Sequence, residues 1–299
     1  MNRRLLYIVN PISGTGNKKS TKDIIHEKTI KAGFEYSIYP SVESGDYAFL
    51  HPIIKEQKVT DVIIAGGDGT INQVINSLRK LNVQFGIIPC GSGNGLAFSA
   101  NIPKNTTKAL DIIFQGKSEE TDAFLINNTF ACMLCGLGLD AKVAHDFADD
   151  PKRGLLTYIK KTIANFFNSK TYHFDLVLKE KKLNTEAFFI SIANSNQFGN
   201  HFTIAPKAIL TDGLIDIVVM TKQNKLSVLY EAVKQVGGFN DVQKVEWIDD
   251  ESNLLYFQTD ELFIHNIDNA PMHIDGDPVE SSEKLHVKLL KKAFRLIYP

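Results

Sequence analysis

Three times in the first hundred residues an aliphatic run ends in a turn and gives way to a helical pattern. "LLYIVN" stops at Asn10-Pro11-Ile12-Ser13-Gly14. "DVIIAG" stops at Gly66-Gly67-Asp68-Gly69-Thr70, and "FGIIP" at Cys90-Gly91-Ser92-Gly93-Asn94-Gly95. Near-continuous apolar strands alternating with helices belong to a parallel sheet covered on both faces. The intervening segments fit. Lys18 to Gly33 is predicted to be an amphipathic helix burying Ile24, Ile25 and Ile30. "FEYSIY" reads as a strand, and Asp46 to Gln57 as a helix with Pro52 near its middle. Ile71, Val74, Ile75 and Leu78 share one helical face, and Thr106 to Gln115 is the next helix.

The pattern changes near Thr121. "AFLINNTFACMLCGLGL" predicts two strands joined at Asn127-Asn128, with helices over Ala141–Phe147 and Leu155–Phe167 after them. Seven β-rich runs follow, interrupted by a helix at Leu226–Val236. A chain of 299 residues exceeds one typical core. The predicted fold is α/β: a doubly wound, Rossmann-like domain over 1–125 and an antiparallel β-sandwich over 126–299, with the final residues free to return to the first domain.

A net charge of −1 offers no basic field for nucleic acid, and no basic stripe with interleaved aromatics is present. No apolar run is long enough to span a bilayer, and the N-terminal run stops at Asn10-Pro11, too short for a signal peptide. The expected location is cytoplasmic. Three cysteines in a long chain argue against a disulfide framework; Cys132 and Cys135 read as thiols of a buried strand, with no second pair to complete a zinc site.

Ligands of open parallel sheets sit beyond the carboxyl ends of the strands. Glycine there lets backbone amides approach an oxyanion, and a helix N-terminus favours it. Thr70, Ser92 and Asn94 add donors. The simplest ligand is a polyphosphate. An aspartate between glycines serves no evident folding purpose, and Asp68 is placed to bind Mg2+ directly or through water. Neither standard nucleotide fingerprint applies: "SGTGNKKS" lacks the P-loop spacing, and "GSGNGL" lacks that of G-x-G-x-x-G.

Together "NPISG", "GGDGTINQVINSL" and "PCGSGNGLA" resemble the diacylglycerol/sphingosine lipid kinase superfamily, including its bacterial soluble members. "GLGLDAKVA", "FTIAPKAILTDGLIDIVVM" and "IDGDP" continue the likeness in the family's order. The resemblance implies a first domain of the NAD kinase/phosphofructokinase type, a β-sandwich that takes the lipid, and an active site in the cleft between them. It implies ATP bound by Asn10, Pro11, Ile12, Ser13, Gly14, Ser41, Gly66, Gly67, Asp68, Gly69, Thr70 and Ser92. It carries a structural Mg2+ site over to Asp212 with the backbone oxygens of Ile209 and Leu214, and places Asp122 in a Mg2+–water network. The family's general base is a glutamate; here Asp277 stands in its place, one methylene shorter. Asp68 is the other candidate base, and Asp275 supports the network.

The expected reaction is phosphoryl transfer from ATP to a lipid hydroxyl, with Asp277 taking the proton. "TYIKKTIANFFNS" (Thr157 to Ser169) lines an acyl tunnel, touches a membrane surface, or packs on the core. Membrane contact is expected to be transient and peripheral. The substrate stays open among diacylglycerol, a sphingoid base, phosphatidylglycerol and a soluble NAD-like molecule, as does a nucleotide-binding regulator without turnover. A homodimer is also open.

Overall fold

The computed structural model describes residues 3–11, 18–139, 141, 170–179, 181–199, 202–221 and 254–299. The chain divides into two compact units, Met1–Thr121 with Lys292–Pro299, and Asp122–Lys291. The elements begin β1 (Arg4–Val9), α1 (Lys18–Lys31), β2 (Glu35–Pro40), α2 (Leu50–Glu56), β3 (Asp61–Gly66), α3 (Asp68–Leu78) and β4 (Gln84–Pro89). The short α4 (Gly95–Ser99) and α5 (Thr106–Gln115) follow, then β5 (Ser118–Ile126), β6 (Thr129–Ala131), β7 (Leu134–Gly138), β8 (Tyr172–Leu178) and β9 (Lys181–Ala193). The remainder is β10 (Gln197–Gly199), β11 (Phe202–Thr203), β12 (Ile215–Thr221), β13 (Leu254–Thr259), β14 (Glu261–Asn266), β15 (Met272–Ile274), β16 (Asp277–Val279) and β17 (Lys284–Ile297). Among the described residues no helix is long and apolar enough to cross a membrane.

In the first unit β1 pairs in parallel with β2 on one side and β3 on the other, and β3 pairs with β4. The end of β17 joins β4 in parallel, Leu296 opposite Phe85. The strand order reverses between β1 and β3, the position at which doubly wound sheets bind ligands. Leu5–Val9 and Val62–Ala65 are buried, as strands covered on both faces must be. Helix α3 buries Ile71, Val74, Ile75 and Leu78, the face its period predicts. Asn105 caps α5 by accepting the Lys108 N–H, and Gly116 ends it in the left-handed conformation.

Two predictions change here. In α1 Ile30 is 57% exposed, and Thr29 takes the inner position instead. Ile25 and Thr29 are one turn apart and share a face, whereas Ile30 points away. The Thr29 hydroxyl donates to the Ile25 carbonyl at 2.6 Å and meets the Tyr7 hydroxyl at 2.8 Å. The helix expected from Asp46 starts at Leu50. Asp46 makes a turn of its own, its carboxylate accepting the Ala48 N–H at 2.9 Å. Pro52 therefore falls in the first turn of α2, where its missing N–H costs no intrahelical bond.

The second unit is antiparallel. Strands β5 and β6 form a hairpin whose two-residue turn, Asn127-Asn128, has positive φ at both positions, as a type I′ turn requires. The CMLC segment leads into a third strand, β7, beyond the two expected. Strand β9 pairs with β8 along its first half, and with β7 and β12 along its second. Strand β12 continues to β13, and β8 to β14 and then β17. Alternation places Ile215, Ile217 and Val219 in a core with Phe124, Leu137 and Ile192, and turns Asp216 and Val218 to the other face. Cys132 and Cys135 are buried and form no disulfide among the described residues. The helices expected over Leu155–Phe167 and Leu226–Val236, and that over Ala141–Phe147 beyond its first residue, lie outside the described residues.

Candidate functional site

The carboxyl ends of β1, β3 and β4 are tied to one another. The Asn10 side-chain amide donates to the Thr70 hydroxyl at 2.7 Å, joining the end of β1 to the first turn of α3. The Asp68 carboxylate, at the start of α3, accepts the Asn94 main-chain N–H at 2.7 Å. The third link is backbone on backbone. A Cβ on Gly91 would lie 2.7 Å from the Gly67 Cα, and one on Gly67 would lie 3.1 Å from the Gly91 Cα. Gly66 is closed too, since a Cβ there would meet the Thr70 side chain at 2.9 Å.

These contacts correct two expectations. Folding itself demands Gly66, Gly67 and Gly91, and Asp68 has a structural duty in holding the Asn94 loop. Asn94, expected as a ligand donor, is fully buried in the left-handed conformation. Its side chain accepts the Gly91 N–H at 2.7 Å and donates to the Gly91 carbonyl at 2.9 Å. It shapes the loop instead of facing a ligand. What remains at this edge is the N-terminus of an eleven-residue helix with an aspartate in its first turn. Around it stand the half-exposed Gly67, Gly69, Gly91 and Ser92. Such an edge suits phosphate oxygens and a hard cation. Ser41 follows β2 with its N–H bonded to the Val9 carbonyl at 3.0 Å, and its side chain bonds to Tyr47. Pro11 is exposed; Ile12, Ser13 and Gly14 lie outside the described residues.

In the second unit Asp122 and Asp212 meet at one turn. Asp122 is buried, and its carboxylate accepts the Gly213 N–H at 2.7 Å. Asp212 accepts the Leu214 N–H at 3.0 Å. Partial burial first, and then the Asp122 charge, push the Asp212 carboxyl above its ordinary range, against the bond from Leu214. Two carboxylates beside main-chain oxygens of the 209–214 turn are a hard-oxygen donor set, and the residues present fit Mg2+. Among the described residues no three His, Cys, Asp or Glu side chains converge as a metal cage, so carbonyls and water would complete the shell.

Asp275 and Asp277 flank the β15–β16 hairpin turn, and their surroundings differ. Asp275 is buried with a φ of +49°. Its carboxylate accepts the N–H groups of Cys132, Met133 and Leu134 at 2.9, 3.0 and 2.9 Å, and the Cys132 thiol at 3.3 Å. It fastens the link between β6 and β7 and is engaged there, not offered to a substrate. Asp277 lies on the exposed edge of the hairpin, opposite Ile274. Protein around its carboxyl, and then the Asp275 charge, still raise it above the ordinary carboxylate range, while His273 acts the other way. A raised carboxyl is the form a general base takes near neutral pH.

Sequence reasoning missed Asp216 and Tyr256. The Tyr256 hydroxyl donates to one Asp216 carboxylate oxygen, and among the described residues the other, buried, has no hydrogen-bond partner. The "LIDIVVM" alternation carried the only sign, an acid inside an apolar strand.

A family model described as the diacylglycerol kinase catalytic domain matches residues 4–126. A second, described as the YegS C-terminal NAD kinase beta sandwich-like domain, matches residues 134–294. A diacylglycerol kinase of Bacillus subtilis is 25% identical over 280 residues, 92% of this chain and 90% of that protein. One of Staphylococcus saprophyticus is 28% identical over 228 residues, 75% of each. The fold matches a crystal structure of a diacylglycerol kinase from Bacillus anthracis with a TM-score of 0.72 and 19% identity, over 99% of this chain and 97% of that one. The chain belongs to the diacylglycerol kinase family of lipid kinases, with the catalytic domain first and the β-sandwich-like domain after it.

Proposed function

We propose that this protein transfers the γ-phosphoryl group of ATP, with Mg2+, to a hydroxyl of a lipid such as diacylglycerol. The observation that carries the reading is the tie between Asp68 and the Asn94 loop, which gathers glycine turns and a helix N-terminus at the strand ends of a lipid kinase family member. That edge binds the nucleotide phosphates through backbone N–H groups, with Asp68 turned toward their cation. When Mg2+ is bound, it neutralises charge on the phosphates; Asp122, Asp212 and main-chain oxygens of Ile209 and Leu214 hold the ion of the second unit.

Asp277 is the base. It takes the proton of the lipid hydroxyl as that oxygen bonds to the γ-phosphorus; the bridge to the β-phosphate breaks, and ADP leaves. Positioning and charge stabilisation supply most of the acceleration in such chemistry. Aspartate is shorter than glutamate by one methylene, so the hairpin tip must bring its carboxyl to about 3 Å from the hydroxyl. The protein works at the membrane surface by transient, peripheral contact, where its substrate lies.

The test is ATP consumption with Mg2+ and mixed micelles of diacylglycerol, monoacylglycerol, a sphingoid base, phosphatidylglycerol or ceramide, each separately, and with NAD in place of micelles. Lipid-dependent turnover lost in Asp68→Asn and Asp277→Asn supports the reading and names the lipid. ATP binding without turnover on any lipid replaces it with the regulator; turnover on NAD alone replaces it with a soluble-substrate kinase.

A further inference from the structure

Asn194 directly follows β9 and is 1% exposed. Its side-chain amide donates in two directions, to the Asp122 carbonyl at 2.8 Å and to the Cys132 carbonyl at 3.2 Å. The N–H groups of Asn194 and Ser195 donate to the neighbouring Met133 carbonyl at 2.8 and 3.0 Å. The β5–β6 ladder stops at the Phe124–Ala131 pair, and beyond it the Asn194 amide bridges the two chains instead. Each end of that bridge is fastened further. Asp122 grips the 209–214 turn twice: its N–H donates to the Leu210 carbonyl at 2.8 Å, and its carboxylate accepts the Gly213 N–H at 2.7 Å. On the other side Asp275 grips the 132–134 segment. Its carboxylate accepts three N–H groups there, and its own N–H donates to the Leu134 carbonyl at 2.8 Å. Asp277 stands two residues beyond.

We propose that Asn194 is a positioning residue: it ties the Mg2+ turn of the second unit to the hairpin of Asp277, so that a cation held by Asp122 and Asp212 also steadies the base. Satisfying two buried carbonyls is a duty an amide can have for folding alone. The Asn194 side-chain oxygen, however, is buried with no hydrogen-bond partner among the described residues, a cost to the fold. What its two donors achieve is the bridge. A cation on the turn restrains Asp122, the Asn194 amide passes the restraint to Cys132, and Asp275 passes it to the hairpin. The links from the Gly213 N–H to Asp275 are hydrogen bonds within the second unit, none longer than 3.2 Å. Coupling of this kind is reciprocal, so loosening the hairpin side weakens the cation.

For the ion and the base this inference rests on the proposed function; the hydrogen bonds do not. The test is amide hydrogen exchange, read residue by residue by NMR on the whole chain without nucleotide. In the wild type, saturating Mg2+ is expected to slow exchange about fivefold or more at Gly213, and also at Leu134 and Gly276. The slowing persists in Asp68→Asn and vanishes in Asp212→Ala, which assigns it to the second unit. In Asn194→Ala the response at Gly213 remains, and the responses at Leu134 and Gly276 are lost. Mg2+ then binds this variant about threefold to tenfold more weakly by calorimetry. Its kcat for lipid falls about tenfold or more with KM for ATP unchanged. An Asn194 that serves folding alone lowers stability and leaves the Mg2+ responses in place. Mg2+ that slows Gly213 but neither Leu134 nor Gly276 in the wild type overturns the proposal, an outcome that needs no folded variant. So does a response at Leu134 and Gly276 that survives in Asn194→Ala. If the second unit binds no Mg2+, the ion of the proposed function fails and the proposal falls with it. If the exchange pattern holds and no lipid is turned over, the tie stands and the lipid kinase reading alone fails.

Discussion

Asp68 and Asn94 lie 26 residues apart, and the carboxylate of one accepts the main-chain N–H of the other at 2.7 Å. The aspartate at the nucleotide edge thus also builds that edge. Asp68→Ala removes a charge and an anchor together, and a hydrogen bond to a charged group contributes about 1.5–3 kcal/mol. Asp68→Asn keeps an acceptor for Asn94. The asparagine variant is expected to unfold in urea within about 1 kcal/mol of the wild type, since the remaining bond is of the neutral kind. It should nevertheless lose Mg2+-dependent ATP affinity by calorimetry. The alanine variant should lose both. Equal stability of the two variants would show that the Asn94 bond contributes nothing.

Gly91 and Gly67 touch backbone to backbone. Gly91→Ala puts a methyl 2.7 Å from the Gly67 Cα and 3.0 Å from the Asn94 side-chain oxygen. The Gly67 neighbour is backbone, and the buried Asn94 oxygen is held in place by the Gly91 N–H, so the loops must part. The expected cost is about 1–3 kcal/mol, the usual range for overpacking, with weaker ATP binding. Gly67→Ala meets only the Gly91 backbone, at 3.1 Å, and should cost less. Urea midpoints of the two variants rank them, and the reverse order would refute the contact as the cause.

The parts of this molecule that were legible in the sequence are those governed by local spacing. Period 3.6 placed Ile71, Val74, Ile75 and Leu78 on the buried face of α3, and Asn127-Asn128 marked a tight hairpin turn. What local spacing cannot carry is a bond between distant segments. Asp275 was expected to support the catalytic network because it shares a motif with Asp277; the N–H groups its carboxylate takes, those of Cys132, Met133 and Leu134, lie 141 to 143 residues earlier. The glycines of the Gly66–Thr70 turn looked purely functional because the Gly91 backbone pressed against Gly67 is invisible along the chain. Thr29 replaced Ile30 inside α1 because a buried tyrosine hydroxyl, that of Tyr7, needed a partner.

Asp216 gives the fold a dependence on pH. Burial pushes its carboxyl up to about 6, even with hydrogen bonds from Tyr256 and Gln258 favouring the charged form. An acid whose folded value lies above its unfolded value binds more protons when folded, so stability falls as pH rises between the two. The window runs from about pH 4, the unfolded value, to about 6. Below it the group has no effect; above it the full penalty applies, on the order of 2–3 kcal/mol. In EDTA, the wild type should lose stability relative to Asp216→Asn between pH 4.5 and 7.5, as read by urea unfolding. Parallel profiles of the two proteins across that range would remove Asp216 as the cause.

Asp275 and Asp277 separate structure from chemistry within one turn. Asparagine tolerates the left-handed backbone of position 275, so Asp275→Asn changes the charge without adding strain. It leaves one good acceptor oxygen where two carboxylate oxygens now take three N–H groups and a thiol. Buried donors left without a partner cost about 1–3 kcal/mol each, so this variant should melt well below the wild type. Below its melting temperature it should retain measurable lipid-dependent turnover. Asp277→Asn, on the exposed edge, should keep its melting temperature and lose turnover by about a hundredfold or more, the contribution of a positioned base. Thermal melts and initial rates on the same preparations test the division. If Asp275→Asn is fully stable yet inactive, Asp275 acts in the chemistry directly; if Asp277→Asn keeps its rate, the base lies elsewhere, and Asp68 is the next residue to titrate.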